Sequence, residues 1–146
     1  MCCLLICFPE TRIRKILTII ETHKEVNKMV FLTASLAAFT IAAALGLVLA
    51  IDLFKGIPTQ RSFTLTHAGM AVLGAVLAIG AALTGDTRVY INIALVVVIV
   101  VLGVMAAIKR HKTGVVPKGL LAAHAGIAVI CYLILAATVF GVNVIG

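Results

Sequence analysis

Two histidines are the residues of this sequence best suited to chemistry. His67 begins a His-Ala-Gly tripeptide that recurs at His124, 57 residues further along the chain. An imidazole can ligate a metal, carry a proton or bond to a backbone carbonyl. Two imidazoles that face each other can hold one haem iron between them. The chemistry available to the chain therefore depends on whether the fold brings these two rings together.

The tripeptide belongs to a longer internal similarity. Residues 33–89 and 90–146 align without a gap and share 11 identical pairs. Apolar sequences match one another by chance, so the inference rests on the paired histidines, the basic residues and the glycines, among them Gly46 with Gly103. We interpret the similarity as an internal duplication of a two-helix unit.

The composition predicts an integral membrane protein. Hydrophobic residues make up 63% of the chain and charged residues 12%, against about 25% charged in typical globular domains, and the mean hydropathy is +1.25. The charges are clustered, which leaves four long apolar stretches. A net charge of +7 would favour nucleic acid as the partner of a soluble protein. In a membrane protein basic loops are the expected topological signal, so we expect a lipid bilayer and no nucleic acid.

Four transmembrane helices are predicted at residues 29–54, 63–84, 89–108 and 120–140. Each has about the 20 residues that a helix needs to cross the hydrocarbon core. The valine-rich run 96–101 would favour a strand in water, but a helix is the only open structure that satisfies its own backbone in lipid. The basic cluster 109–112 is predicted to end the third helix, with His111 in a solvated loop. The expected fold class is an all-α four-helix membrane bundle of two parallel two-helix repeats.

The basic residues predict the orientation. The connections between the first and second and between the third and fourth helices carry six lysines and arginines, whereas the opposite side carries only Arg88 when residues 1–28 are set aside. We therefore expect the basic loops to be cytoplasmic, in a bacterial inner membrane. If residues 1–28 are counted, the two sides carry six basic residues each, so this prediction depends on where the native chain begins.

Residues 1–28 differ in composition from the rest of the chain, because they contain neither alanine nor glycine. One interpretation is that the native chain begins at Met29, which leaves residues 29–146 as the membrane domain. A second is that the isoleucines and leucine of 13–20, which recur at helical spacing, form a helix in the headgroup region. A third is acylation at Cys2 and Cys3.

The bundle topology predicts the surroundings of the two histidines. The second and fourth helices start on the same side of the membrane and lie diagonally across the bundle, so His67 and His124 are expected at one depth and facing inward. Gly46 and Gly103 are expected to thin the other two helices at greater depth. Together with a stripe of small residues on the second helix, they would make room for a flat macrocycle; the stripe consists of Ala71, Gly74, Ala78 and Ala81.

Three roles for the histidine pair stay open. The rings could be structural, could ligate one haem iron, or could serve a metal or a proton. A metal site from two histidines alone is under-ligated, because no carboxylate or thiolate lies in phase nearby. Duplication would copy even a structural histidine into both halves.

Other chemistry is poorly supported by the sequence. No aspartate or glutamate lies deep in a span, and there is no phosphate-binding glycine loop and no pairing of a nucleophile with a base. We therefore expect no enzyme activity. Cys131 and Tyr132 are expected to be packing residues, and Asn92 and Asn143 are expected to join helices by hydrogen bonds.

The paired spans, each with a basic, proline-containing loop before His-Ala-Gly, resemble uncharacterised small four-helix proteins of the bacterial inner membrane over residues 30–140. More loosely, histidines on diagonal helices look like the cytochrome b membrane anchors of respiratory enzymes. The first resemblance implies a structural or accessory membrane protein, as a homo-oligomer or a subunit of a membrane complex. The second implies a b-type haem electron-transfer subunit, with haem b held by His67 and His124.

Overall fold

A computed structural model describes residues 10–142, with side chains described from Arg12 onwards. The described chain forms four α-helices and one short 3-10 turn. Their bounds are α1 Glu10–Lys55, α2 Arg61–Leu83, α3 Tyr90–Thr113 and α4 Lys118–Val139, with the 3-10 turn at Thr87–Val89. All four helices are long and apolar enough to cross a membrane. The predicted all-α four-helix bundle is confirmed, and the protein is a multi-pass membrane protein.

The first helix is much longer than predicted. α1 has 46 residues, which corresponds to about 69 Å at 1.5 Å per residue. Met29 is therefore not a helix boundary, and the helix predicted around residues 13–20 continues directly into the first span. The physical reason is the absence of any glycine or proline from residue 10 to residue 45. Cys2, Cys3 and Asn143 lie outside the described residues.

The third helix also ends later than predicted. The basic residues 109–112 form the last turn of α3 rather than a loop, and His111 is exposed on that turn. Cations are favourable there because the carbonyl end of a helix carries partial negative charge. The helix stops at Gly114, whose φ of 73° is left-handed and suits glycine.

The helices form a ring in which each one packs against two neighbours. α1 contacts α2 and α4, and α3 contacts α2 and α4, whereas α1 with α3 and α2 with α4 are diagonal pairs. We call the end with the α1–α2 and α3–α4 connections the basic end, because six lysines and arginines lie in or beside those two connections. The other end, with the α2–α3 connection, is the turn end.

The tightly packed core lies toward the turn end. Its centre is a cluster of buried side chains contributed by α1, α2, α4 and the 3-10 turn: Leu32, Ala81, Ala82, Val89 and Leu135; the partly buried Ile93 of α3 packs against it. No residue of α1 beyond Ala42 is fully buried, and none of α2 before Gly74. Within the described chain, the interior is therefore closed at the turn end and more loosely packed at the basic end. The outward faces carry exposed leucine, isoleucine and valine, as expected where the surrounding solvent is hydrocarbon.

Candidate functional site: a histidine pair across the bundle

The structure brings the two histidines together. His67 lies six residues after the start of α2 at Arg61, and His124 lies six residues after the start of α4 at Lys118, about 9 Å along each helix. Their ring centroids are 6.4 Å apart, although α2 and α4 are diagonal helices. The ring planes are inclined at 59°, so the rings face each other without stacking.

Each imidazole is oriented by one backbone hydrogen bond. Nδ1 of His67 lies 2.8 Å from the carbonyl oxygen of Ala42 in α1, and Nδ1 of His124 lies 3.0 Å from that of Ile99 in α3. A carbonyl oxygen only accepts, so Nδ1 must carry the proton in both rings. In the neutral tautomer Nε2 then keeps a lone pair, which is the usual arrangement of a metal-ligating histidine.

Gly46 and Gly103 lie directly against the two rings, not at greater depth as predicted. A Cβ at position 46 would lie 2.9 Å from Cε1 of His67, and one at position 103 would lie 3.2 Å from Cε1 of His124. Both distances are closer than normal van der Waals contact, so a side chain at either position would displace the ring. The glycines let α1 and α3 approach the imidazoles closely.

The small-residue stripe of α2 does not leave space for a macrocycle as predicted. Gly74, Ala78 and Ala81 are buried, but the Phe39 ring of α1 lies over Gly74, 3.0 Å from the position of an added Cβ. The stripe therefore lets α1 approach α2. Toward the basic end, in contrast, the described residues of α1 and α2 include none that is fully buried.

A second polar layer lies two helical turns from the histidines toward the turn end. The Ser35 hydroxyl donates to the carbonyl of Gly74 at 2.8 Å, and the Asn92 amide donates to the carbonyl of Cys131 at 2.8 Å. The prediction that Asn92 joins two helices is confirmed. Its Oδ1 is buried and has no hydrogen-bond partner. Sequence reasoning missed Ser35, although it is the residue 57 positions before Asn92.

Charges are concentrated at the two ends of the bundle. The basic end carries Lys55, Arg61, Lys109, Arg110, Lys112 and Lys118. At the turn end, Asp86 is buried and pairs with the Arg88 side chain at 3.2 Å. Burial acts to raise the pKa of Asp86, but the Arg88 side-chain and backbone hydrogen bonds and the charges of Arg88 and Lys28 outweigh it and hold that pKa below its ordinary value.

The fold and the site define a class of protein: a multi-pass, all-α membrane protein with an imidazole pair inside a four-helix bundle. Among the described residues, no group of three or more histidine, cysteine, aspartate or glutamate side chains is placed to hold a metal ion. Comparison with protein-family models, with curated proteins and with solved structures finds no match. The functional argument therefore rests on the geometry of the histidine pair.

Proposed function

We propose that His67 and His124 are the axial ligands of one b-type haem, and that the protein is a small electron-transfer subunit of a membrane complex or homo-oligomer. The observation that supports this proposal is the separation of 6.4 Å between two imidazoles carried by diagonal helices. Two metal–imidazole bonds of about 2.0 Å, extended to the ring centres, give a separation of about 6 Å. Joining neighbouring helices by hydrogen bonds would not require the two rings to meet.

The surroundings of the rings suit a bis-imidazole ligand pair. The carbonyls of Ala42 and Ile99 fix the tautomer and orientation of the imidazoles and increase their basicity toward a metal. Phe39 and the core close the interior toward the turn end, so water is excluded from that side. A haem held by the pair would supply one-electron redox chemistry, with a potential set by its ligands and by the low polarity of the bundle.

The test is the absorption spectrum of the protein purified from haem-replete cells. We expect a Soret band and the spectrum of a low-spin, six-coordinate haem. Because a bis-imidazole iron needs both ligands, His67→Ala and His124→Ala should each abolish this spectrum, and the double variant should lose little more. His111→Ala, at an exposed histidine far from the pair, is the matched control and should leave the spectrum unchanged. A colourless wild-type protein that cannot take up added haemin would contradict the proposal.

A second candidate is the structural or accessory role. It is favoured by the hydrogen bonds themselves, since each imidazole already joins neighbouring helices, α2 to α1 and α4 to α3, without a cofactor. In that case each histidine variant should lose a modest and independent amount of stability, because hydrogen bonds between membrane helices contribute about 0.6 kcal/mol on average. Additive losses of stability, with no pigment in any variant, distinguish this role from haem ligation.

We also propose that residues 33–89 and 90–146 are copies of one ancestral unit. The support comes from two kinds of interhelical hydrogen bond. The bond from an imidazole to a carbonyl, and the bond from a polar side chain to a carbonyl, each occur in both halves, and the paired residues are 57 positions apart. Chance similarity between apolar sequences does not reproduce paired contacts. We also propose that the basic end faces the cytoplasm of a bacterial cell, because its two connections carry six lysines and arginines whereas the α2–α3 connection carries only Arg88. This proposal sets aside residues 1–28, whose five basic residues make the count six on each side.

A further inference from the structure

The bundle has two equivalent seams that are filled differently. In the α4–α1 seam, the Tyr132 hydroxyl lies 3.0 Å from Oγ1 of Thr40, which joins the two helices across the gap. The positions related to these residues by 57 are Ala75 in α2 and Val97 in α3. The α2–α3 seam therefore has a methyl group where the other has a phenol ring, and it has no hydrogen bond between these positions.

An apolar groove follows from this difference. It occupies about 230 Å³ between α2 and α3, and its walls include Ala75, Ile79, Val97 and Val101. All the side chains that line it are alanine, isoleucine or valine. Ile79, Val97 and Val101 are 45%, 59% and 52% exposed, so the groove opens on the outer surface of the bundle, which faces lipid.

We propose that this groove binds one acyl chain of a membrane phospholipid. Its α3 wall runs from Ile93 to Val101, about 12 Å along the helix axis, so a segment of an extended chain can lie along it. The lining residues offer no polar side chain to a polar group of a ligand, so the occupant is hydrocarbon. In water such a groove would bind any apolar ligand, but at this depth in a bilayer the abundant hydrocarbon is the acyl chain.

The bound chain stabilises the position of α3. A groove without an occupant would lose dispersion contacts on one side of each lining residue, and a chain restores them. The α3 wall includes the turn around Ile99, whose carbonyl holds Nδ1 of His124. The lipid is thus a packing element beside the histidine site, and this inference holds whether or not the site binds haem.

The test closes the groove by copying the filled seam. In the variant that combines Ala75→Tyr with Val97→Thr, the new phenol ring should occupy the groove and bond to the new hydroxyl. Native mass spectrometry of the wild-type protein in mild detergent should find one retained phospholipid per chain, and the variant should retain none. Leu133→Tyr, which adds the same ring at a lipid-facing position of α4 that is 60% exposed, is the matched control and should retain the lipid.

A second measurement uses only the wild-type protein, so its result does not depend on whether the variant folds. In bilayers containing a phospholipid spin-labelled on its acyl chain, the wild-type electron spin resonance spectrum should contain a strongly immobilised component of about one lipid per chain, distinct from the lipids that exchange along the rest of the surface. Equal lipid retention by the closed variant, an absence of the immobilised component, or a wild-type dimer that is lost on closing the groove would each overturn the proposal. The last outcome would assign the groove to a second copy of the chain.

Discussion

The contact between Gly46 and the His67 ring gives a prediction whose size follows from the structure. Alanine at position 46 would place its Cβ 2.9 Å from Cε1 and 3.2 Å from Nδ1 of the imidazole. The ring must move, which removes Nδ1 from the carbonyl of Ala42. Overpacking costs about 1–3 kcal/mol, the hydrogen bond contributes about 0.6 kcal/mol, and alanine gains about 1 kcal/mol over glycine in a helix. We expect Gly46→Ala to lower the free energy of unfolding by about 1–2 kcal/mol.

The chain provides matched controls for this substitution. Gly69 and Gly126 are helical glycines of the His-Ala-Gly tripeptides, and a Cβ at either would have no neighbour within 4 Å. Gly69→Ala and Gly126→Ala should therefore be neutral or stabilising by up to about 1 kcal/mol. Gly103→Ala brings its Cβ to 3.2 Å from the His124 ring, so it should be less destabilising than Gly46→Ala. All four substitutions change helix propensity equally, and their differences isolate the contact with the ring.

The assay is reversible unfolding of the purified protein by denaturing detergent in mixed micelles, followed by circular dichroism. The expected difference between Gly46→Ala and Gly69→Ala is about 2–3 kcal/mol, the sum of the steric and hydrogen-bond costs. Equal stability of these two variants would refute the reasoning, because it would mean that the glycine does not limit how closely α1 approaches the imidazole.

Three further predictions concern the rest of the bundle. Asn92→Ser, which supplies the hydroxyl found at the related position of α1, removes the buried unpaired Oδ1 and should raise the free energy of unfolding by about 1 kcal/mol; a loss of stability in the same unfolding assay would contradict this. Asp86→Asn should lower the free energy of unfolding by about 1–2 kcal/mol at pH 7. Because folding lowers the pKa of Asp86, this difference should be constant above the ordinary carboxyl pKa and should close as the pH falls below 3.8; a difference that persists in acid would argue against the ion pair. In a background without the native cysteines, Gln60→Cys and Thr113→Cys should resist a membrane-impermeant thiol reagent in intact cells while Thr87→Cys reacts, and the reverse pattern would invert the topology.

Much of the fold could be predicted from the sequence. Hydropathy alone locates four spans, since only helices of about 20 apolar residues satisfy their backbone in lipid. The offset of 57 residues predicted that His67 and His124 lie at one depth. Helix ends were less accurate, because cations such as those of 109–112 are tolerated inside a helix that extends beyond the hydrocarbon core.

Only the tertiary structure decided which groups the imidazoles contact. The carbonyls of Ala42 and Ile99, the close approach of Gly46, and the Phe39 ring that fills the stripe on α2 depend on how each helix is rotated about its own axis. In a soluble bundle an apolar stripe reveals that rotation, whereas these helices are apolar on every side because lipid and core are equally apolar. The inward faces are chosen by the fit between small and large side chains of different helices, which no single segment encodes.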